Sequence, residues 1–153
     1  MPTEAQRFGS DLRLLGDLVR GNDRQPGHDL FVTRRTATGG IDLATRAGVP
    51  NLEQALLLRF LTRAGELTVL GHSDYGSRLH ELIGELNDET NRNRAKLYVL
   101  QALEAESRVA EVLSVDVTPD PTVRTQINIV AAVKTIDEST PLTVAFPFLL
   151  GEG

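Results

Sequence analysis

From residue 109 to residue 149 apolar side chains fall on every second position. Leu113, Val115 and Val117 alternate with Ser114 and Asp116. Ile127, Ile129, Ala131 and Val133 alternate with Asn128, Val130 and Ala132, and Leu142, Val144, Phe146 and Phe148 alternate again. A period of two is the signature of a half-buried strand. Thr118-Pro119-Asp120-Pro121 and the polar stretch from Lys134 to Pro141 separate the three runs and carry turn chemistry. Three strands joined by short connections form an antiparallel meander. Three strands alone are barely stable, so one face must pack on helices. Pro147, near the end of the last run, fits an edge strand, because proline has no donor for a ladder.

The helices come before it. In residues 50–106, Asn51 with Gln54 three positions on reads as a capping box. Leu52, Ala55, Leu56, Leu57, Leu58, Phe60 and Leu61 are apolar nearly all the way round, which predicts a central buried helix. Arg63 is expected in its last turn, with Gly65 just beyond. Leu79, Leu82 and Ile83 predict a short helix that Gly84 disturbs. Asn87 or Asp88 caps a longer helix to about Glu106, with Ala95, Tyr98, Val99, Ala102 and Leu103 as its inner stripe.

Ahead of these, residues 29–49 read as a short hairpin, with Leu30, Phe31 and Val32 on one side of a Thr38-Gly39-Gly40 turn and Ile41 to Ala44 on the other. Residues 1–28 read as an arm. Leu12, Leu14, Leu15, Leu18 and Val19 offer a helical turn or two before Gly21 to Gly27 breaks it. The expected fold is α+β: a central buried helix and a long second helix packed on a C-terminal three-stranded antiparallel meander, with an N-terminal arm (1–28) ahead of a single domain (29–153).

Composition narrows the function. A chain of 153 residues is long enough for a core without staples. It has no cysteine, so disulfides and thiolate metal sites are out. A net charge of −5 argues against a nucleic-acid partner, which calls for a basic face. Apolar runs stay far below the ~20 residues of a membrane span, and Met1-Pro2-Thr3-Glu4 does not open like a signal peptide. The expected setting is cytoplasmic.

Motifs for chemistry are scarce. His28, His72 and His80 have no carboxylates at ligand spacing, so neither a metal nor a cofactor is expected. No phosphate loop or nucleophile elbow occurs. A glycosidase needs two carboxylates flanking a groove, one with a raised pKa. The candidates near the central loop are Glu66, Asp74, Glu81 and Glu85, and each has a structural explanation: Glu66 follows the Gly65 stop, Asp74 suits a turn, and Glu81 can pair with Arg78.

One loop carries more detail, Leu70-Gly-His-Ser-Asp-Tyr-Gly-Ser-Arg-Leu79. It follows L-L-L-R-F-L-T-R-A-G-E-L and precedes L-H-E-L-I-G-E-L, and E-S-R-V-A-E-V-L-S-V-D-V closes the helical part. In this order the chain from about 50 to 135, and more weakly Phe8 to Leu12, resembles the small baseplate wedge proteins that initiate the sheath of contractile tails. This family, often labelled lysozyme-like, occurs in contractile phages, type VI secretion baseplates and extracellular contractile injection particles. Its Glu-Pro-Arg triplet matches Glu106, Ser107 and Arg108, with serine in place of proline. Read residue by residue, Glu106 and Arg108 serve equally as a local ion pair that ends a helix.

The resemblance implies that Glu106, Ser107 and Arg108 contact wedge proteins, and that Asp74, Tyr75 and Gly76 form a loop of the family's type. It implies a non-enzymatic part, six to a baseplate ring, whose partners are wedge proteins, the sheath protein and the inner tube or hub. The meander, through Ile127, Ile129, Val144 and Phe146, is then expected to template the first sheath ring by strand addition. The family label keeps a peptidoglycan-cleaving hydrolase as the alternative.

Overall fold

The computed structural model describes residues 1–15, 30–136 and 141–151. The chain forms two compact units, Met1–Gln54 and Ala55–Gly153.

The first unit opens with helix α1 (Glu4–Phe8). Thr3 caps it, accepting from Gln6 N while Gln6 returns a bond to Thr3 N. Strand β1 (Ser10–Leu12) pairs antiparallel with β4 (Thr45–Ala47), and β2 (Val32–Arg34) with β3 (Ile41–Leu43) as the expected hairpin. The helical turn expected from Leu12 onwards does not form in the described part. Gln54 captures that backbone instead, donating to Leu12 O and accepting from Leu14 N and Leu15 N. Leu18, Val19, His28 and the Gly21 to Gly27 stretch lie outside the described residues.

Helix α2 (Val49–Leu61) starts two residues before Asn51. Gly48, at φ 70°, offers its carbonyl to Asn51 N and Leu52 N, and Pro50 sits in the first turn, where no donor is missed. Asn51 is therefore not the cap. It is nearly buried and donates to Phe8 O at 3.1 Å. The helix also ends before Arg63, which makes an isolated parallel bridge with Ser77.

In the second unit, 3₁₀ turns span Thr68–Leu70 and Leu79–Leu82. Helix α3 (Glu89–Glu104) is capped by Asp88 and buries Ala95, Tyr98, Val99, Ala102 and Leu103, the predicted stripe. The meander is a three-stranded sheet in the order β5 (Val109–Pro119), β6 (Gln126–Thr135), β7 (Pro141–Leu149). α3 packs along β5, and Phe60 of α2 stacks on Phe146 of β7 with ring centroids 5.0 Å apart. The inner face holds Val115, Ile127, Ile129, Ala131, Val133, Val144 and Phe146.

β5 departs from strict alternation. Its register slips between Val109 and Glu111 and again between Val112 and Ser114. Each slip is a bulge, an extra residue that shifts the facing of the strand. The second leaves Leu113 unpaired and 54% exposed, although the alternation put it in the core. β7 pairs with β6 without a slip from Pro141 to Leu149.

Candidate functional site

Two clusters that the sequence singled out separately meet in the second unit, joined by a residue it did not single out. Glu106 follows the end of α3 and is 6% exposed. Its Oε1 accepts from Arg108 Nε at 2.6 Å, and its Oε2 from Arg59 Nη2 at 3.1 Å. Arg59 comes from α2 and is itself buried. Its guanidinium lies 4.6 Å from the centroid of the Tyr75 ring, and its Nη1 donates to Asp74 O at 3.4 Å. One arginine thus ties the 74–76 loop to the 106–108 corner, through charge-assisted bonds on one side and a cation–π contact on the other.

The loop is held from behind as well. Ser77 N donates to Thr62 O, Ala64 N to Ser77 O, and Gly65 N to Tyr75 O. This brings Gly76, at φ 107°, so close to the end of α2 that a Cβ there would lie 2.5 Å from Arg63 O. Beside Arg59 an open depression of about 220 Å³ is lined by Gly71, His72, Ser73, Asp74, Tyr75 and Ala105. The one signal for Arg59 was its place as the single basic residue in the apolar run from Ala55 to Leu61; that it faces inward depends on Glu106, 47 positions on.

Electrostatics fix the state of Glu106. Burial pushes its carboxyl up, but the Arg108 and Arg59 guanidiniums outweigh this and hold it below the usual carboxylate range. Glu81 is pulled down to about 2 by Arg78, which grips it with two bonds, and by the Tyr98 hydroxyl. Asp120 is also lowered, by Asn128, Thr122 and the Val123 backbone. A carboxyl whose folded value lies below its unfolded value near 4.5 contributes stability that is fully present above that pH, and loses it as the pH falls through the folded value. Urea midpoints should therefore drop as the pH goes from about 4.5 towards 2, and Glu106→Gln should flatten that slope while lowering stability at neutral pH.

Glu106 is turned inward and engaged by two arginines, Ser107 is exposed, and Arg108 is half-buried. Asp74 contributes its carbonyl to Arg59, and Tyr75 its ring face. Ile127 and Ile129 lie on β6, the central strand, and are fully buried. With β5 and β7 taking both sides of β6, these two residues have no edge to offer an incoming strand. Val144 and Phe146 are on the outer strand β7, but their side chains point into the core and their main-chain groups face β6.

Among the carboxylates, Glu66 accepts from Arg63 N and Glu81 is held by Arg78. Glu81 and Glu85 do not share a helix face, because the 3₁₀ turn stops at Leu82. Among the described residues no group of three His, Asp or Glu side chains is placed to hold a metal ion, and no helix is long and apolar enough to cross a membrane.

Fold and site together define an α+β domain with an Arg–Glu–Arg corner, in which Arg59 and Glu106 are buried and Arg108 is half-buried, and a three-stranded sheet with one regular outer strand. No protein-family model matches the chain, and no curated protein matches it. The fold is shared with a crystal structure, at 1.44 Å, of a protein from Geobacter sulfurreducens that carries the provisional name tail lysozyme. The TM-score is 0.57 at 22% identity, over 68% of this chain and 92% of that one.

Proposed function

We propose that this protein is a structural part of the baseplate of a contractile tail or tail-like injection particle. In this reading it joins wedge proteins to the first sheath ring, in a ring of six, and templates the sheath by accepting a strand at β7. The observation that carries the reading is the outer edge of β7, in a fold shared with a protein named for tails. Among the described residues no strand pairs with that edge. β5, the other outer strand, is bulged and lies along α3, the kind of protection that edges usually receive.

Pro147 shows which way the β7 donors face. It sits within the β6–β7 ladder, opposite Asn128, so its missing N–H belongs on the outer side. N–H groups alternate along a strand, so those of Thr143 and Ala145 face outward with it. These are the donors a sheath segment would take. Thr143→Pro and Ala145→Pro should therefore leave the β6–β7 ladder intact and stop sheath growth on finished baseplates, as seen by electron microscopy. Normal sheaths on such baseplates would rule out strand addition at β7. At the other end, Arg108→Glu should weaken capture of wedge proteins in a pull-down, and unchanged capture would count against the corner as their contact.

The same name favours a second reading, a peptidoglycan hydrolase. A general acid with a raised pKa is what that chemistry needs. Glu81, Glu106 and Asp120 are instead held below the usual carboxylate range, by Arg78, by Arg108 and Arg59, and by Asn128 and Thr122. We expect no clearing in a turbidity assay on cell walls; clearing that Glu66→Gln or Glu85→Gln abolishes would establish the hydrolase.

A further inference from the structure

The outward donors of β7 are interrupted at Pro147, and beyond it Leu149 N–H alone faces outward before the strand ends. Exposed apolar side chains gather at that end. Leu150 N donates to Thr125 O, and Gly84 N to Leu150 O, which fixes the chain after Ile83 beside the end of β7. Asn87 Nδ2 donates to Arg124 O and Gln126 O, which fixes the chain after Leu86 beside the β5–β6 connection. Ile83, Leu86, Val123 and Leu149 thus surround one end of the sheet, and Leu86 is 76% and Ile83 59% exposed. None of the four is needed for the core, which is closed beneath them by Leu82 and Leu150, both buried.

We infer that this apolar end is the anchor point of the strand that adds to β7: the partner segment carries a large apolar side chain just beyond its last paired residue, and seats it on Ile83, Leu86 and Leu149. The inference rests on the strand-addition reading of β7 and deepens it. The occupant is an extended segment because the patch continues a regular strand edge. An apolar anchor suits this end because Pro147 removes one outward donor and leaves Leu149 N–H alone beyond the gap, so side-chain burial adds grip where the ladder is thinnest. Main-chain bonds are indifferent to sequence, and a pocket for one side chain is what gives strand addition its specificity.

The test measures binding of the sheath protein from the same particle to the full chain, comparing Ile83→Ser/Leu86→Ser with Val69→Ser/Leu70→Ser. Val69 and Leu70 are also exposed, but stand on the separate 3₁₀ turn beside the Arg59 depression. Losing two apolar contacts should weaken binding about ten- to a hundredfold for the first pair, with no change for the second and unchanged melting temperatures for both. Undiminished binding by Ile83→Ser/Leu86→Ser, while Ala145→Pro abolishes it, would overturn the anchor and leave strand addition standing. Undiminished binding by Ala145→Pro would overturn both. Self-association of the wild type that Ile83→Ser/Leu86→Ser removes would assign the patch to a second copy of this chain and overturn the anchor.

Discussion

Arg59→Met is expected to destabilise the protein by about 3–5 kcal/mol, the cost of leaving one member of a buried ion pair without its partner. Both side chains are almost fully desolvated, at 9% and 6% exposure, so the screening that makes surface pairs nearly worthless does not apply. Arg108 still reaches Glu106 Oε1, but Oε2 would be left facing an apolar replacement. The Asp74 carbonyl and the Tyr75 ring face would lose the same partner. Urea denaturation of Arg59→Met, Glu106→Gln and the double variant closes a thermodynamic cycle, and the expected coupling is at least about 1 kcal/mol in favour of the pair. A loss below about 1 kcal/mol for Arg59→Met would mean that the corner is solvated like a surface pair.

The second large effect is Gly76→Ala, expected to cost about 2–4 kcal/mol. A φ of 107° is strained for any residue with a Cβ, and here that Cβ meets backbone: Arg63 O at 2.5 Å, Arg63 C at 2.7 Å and Ala64 N at 2.9 Å. Backbone cannot rotate aside as a side chain does, so either the loop or the end of α2 must move. Gly71 separates the two contributions. Its φ of 86° is equally left-handed, but its Cβ would meet open space, so Gly71→Ala should cost only about 1 kcal/mol. Equal losses for the two variants in urea denaturation would mean that strain, and not the close approach, sets the need for glycine at 76.

Local patterns carried much of the architecture. The stripe of α3 is apolar at spacings of three and four, and each of its five members is buried. The alternation of β6 and β7 matched the pleat wherever the register was unbroken. It failed at Leu113, because a bulge inserts one residue without changing the composition of the strand. It also failed at the start of α2, where Asn51 and Gln54 have the spacing of a capping box but bind Phe8 O and the Leu12 to Leu15 backbone. A side-chain amide satisfies whichever backbone group comes within reach, and for these two residues that group is about forty positions away.

The candidate site divides in the same way. The Asp74-Tyr75-Gly76 loop and the Glu106-Ser107-Arg108 corner stood out separately, as texture and as a triplet. That Arg59 joins them depends on a pair 47 residues apart in the chain. Pro147 marked the last run as an edge strand, and β7 is one, but the bulges of β5 left no trace in its alternation.

By itself, the sequence determined the change from helical to strand periodicity, the three runs of the meander and the stripe of α3, because each is set by residues a few positions apart. Only the tertiary structure decided that Glu106 faces inward on Arg59, that β5 is bulged while β7 is regular, and that Gly76 cannot carry a side chain. Each of these depends on what long-range packing brings within a few ångströms, and local periodicity holds no information about that.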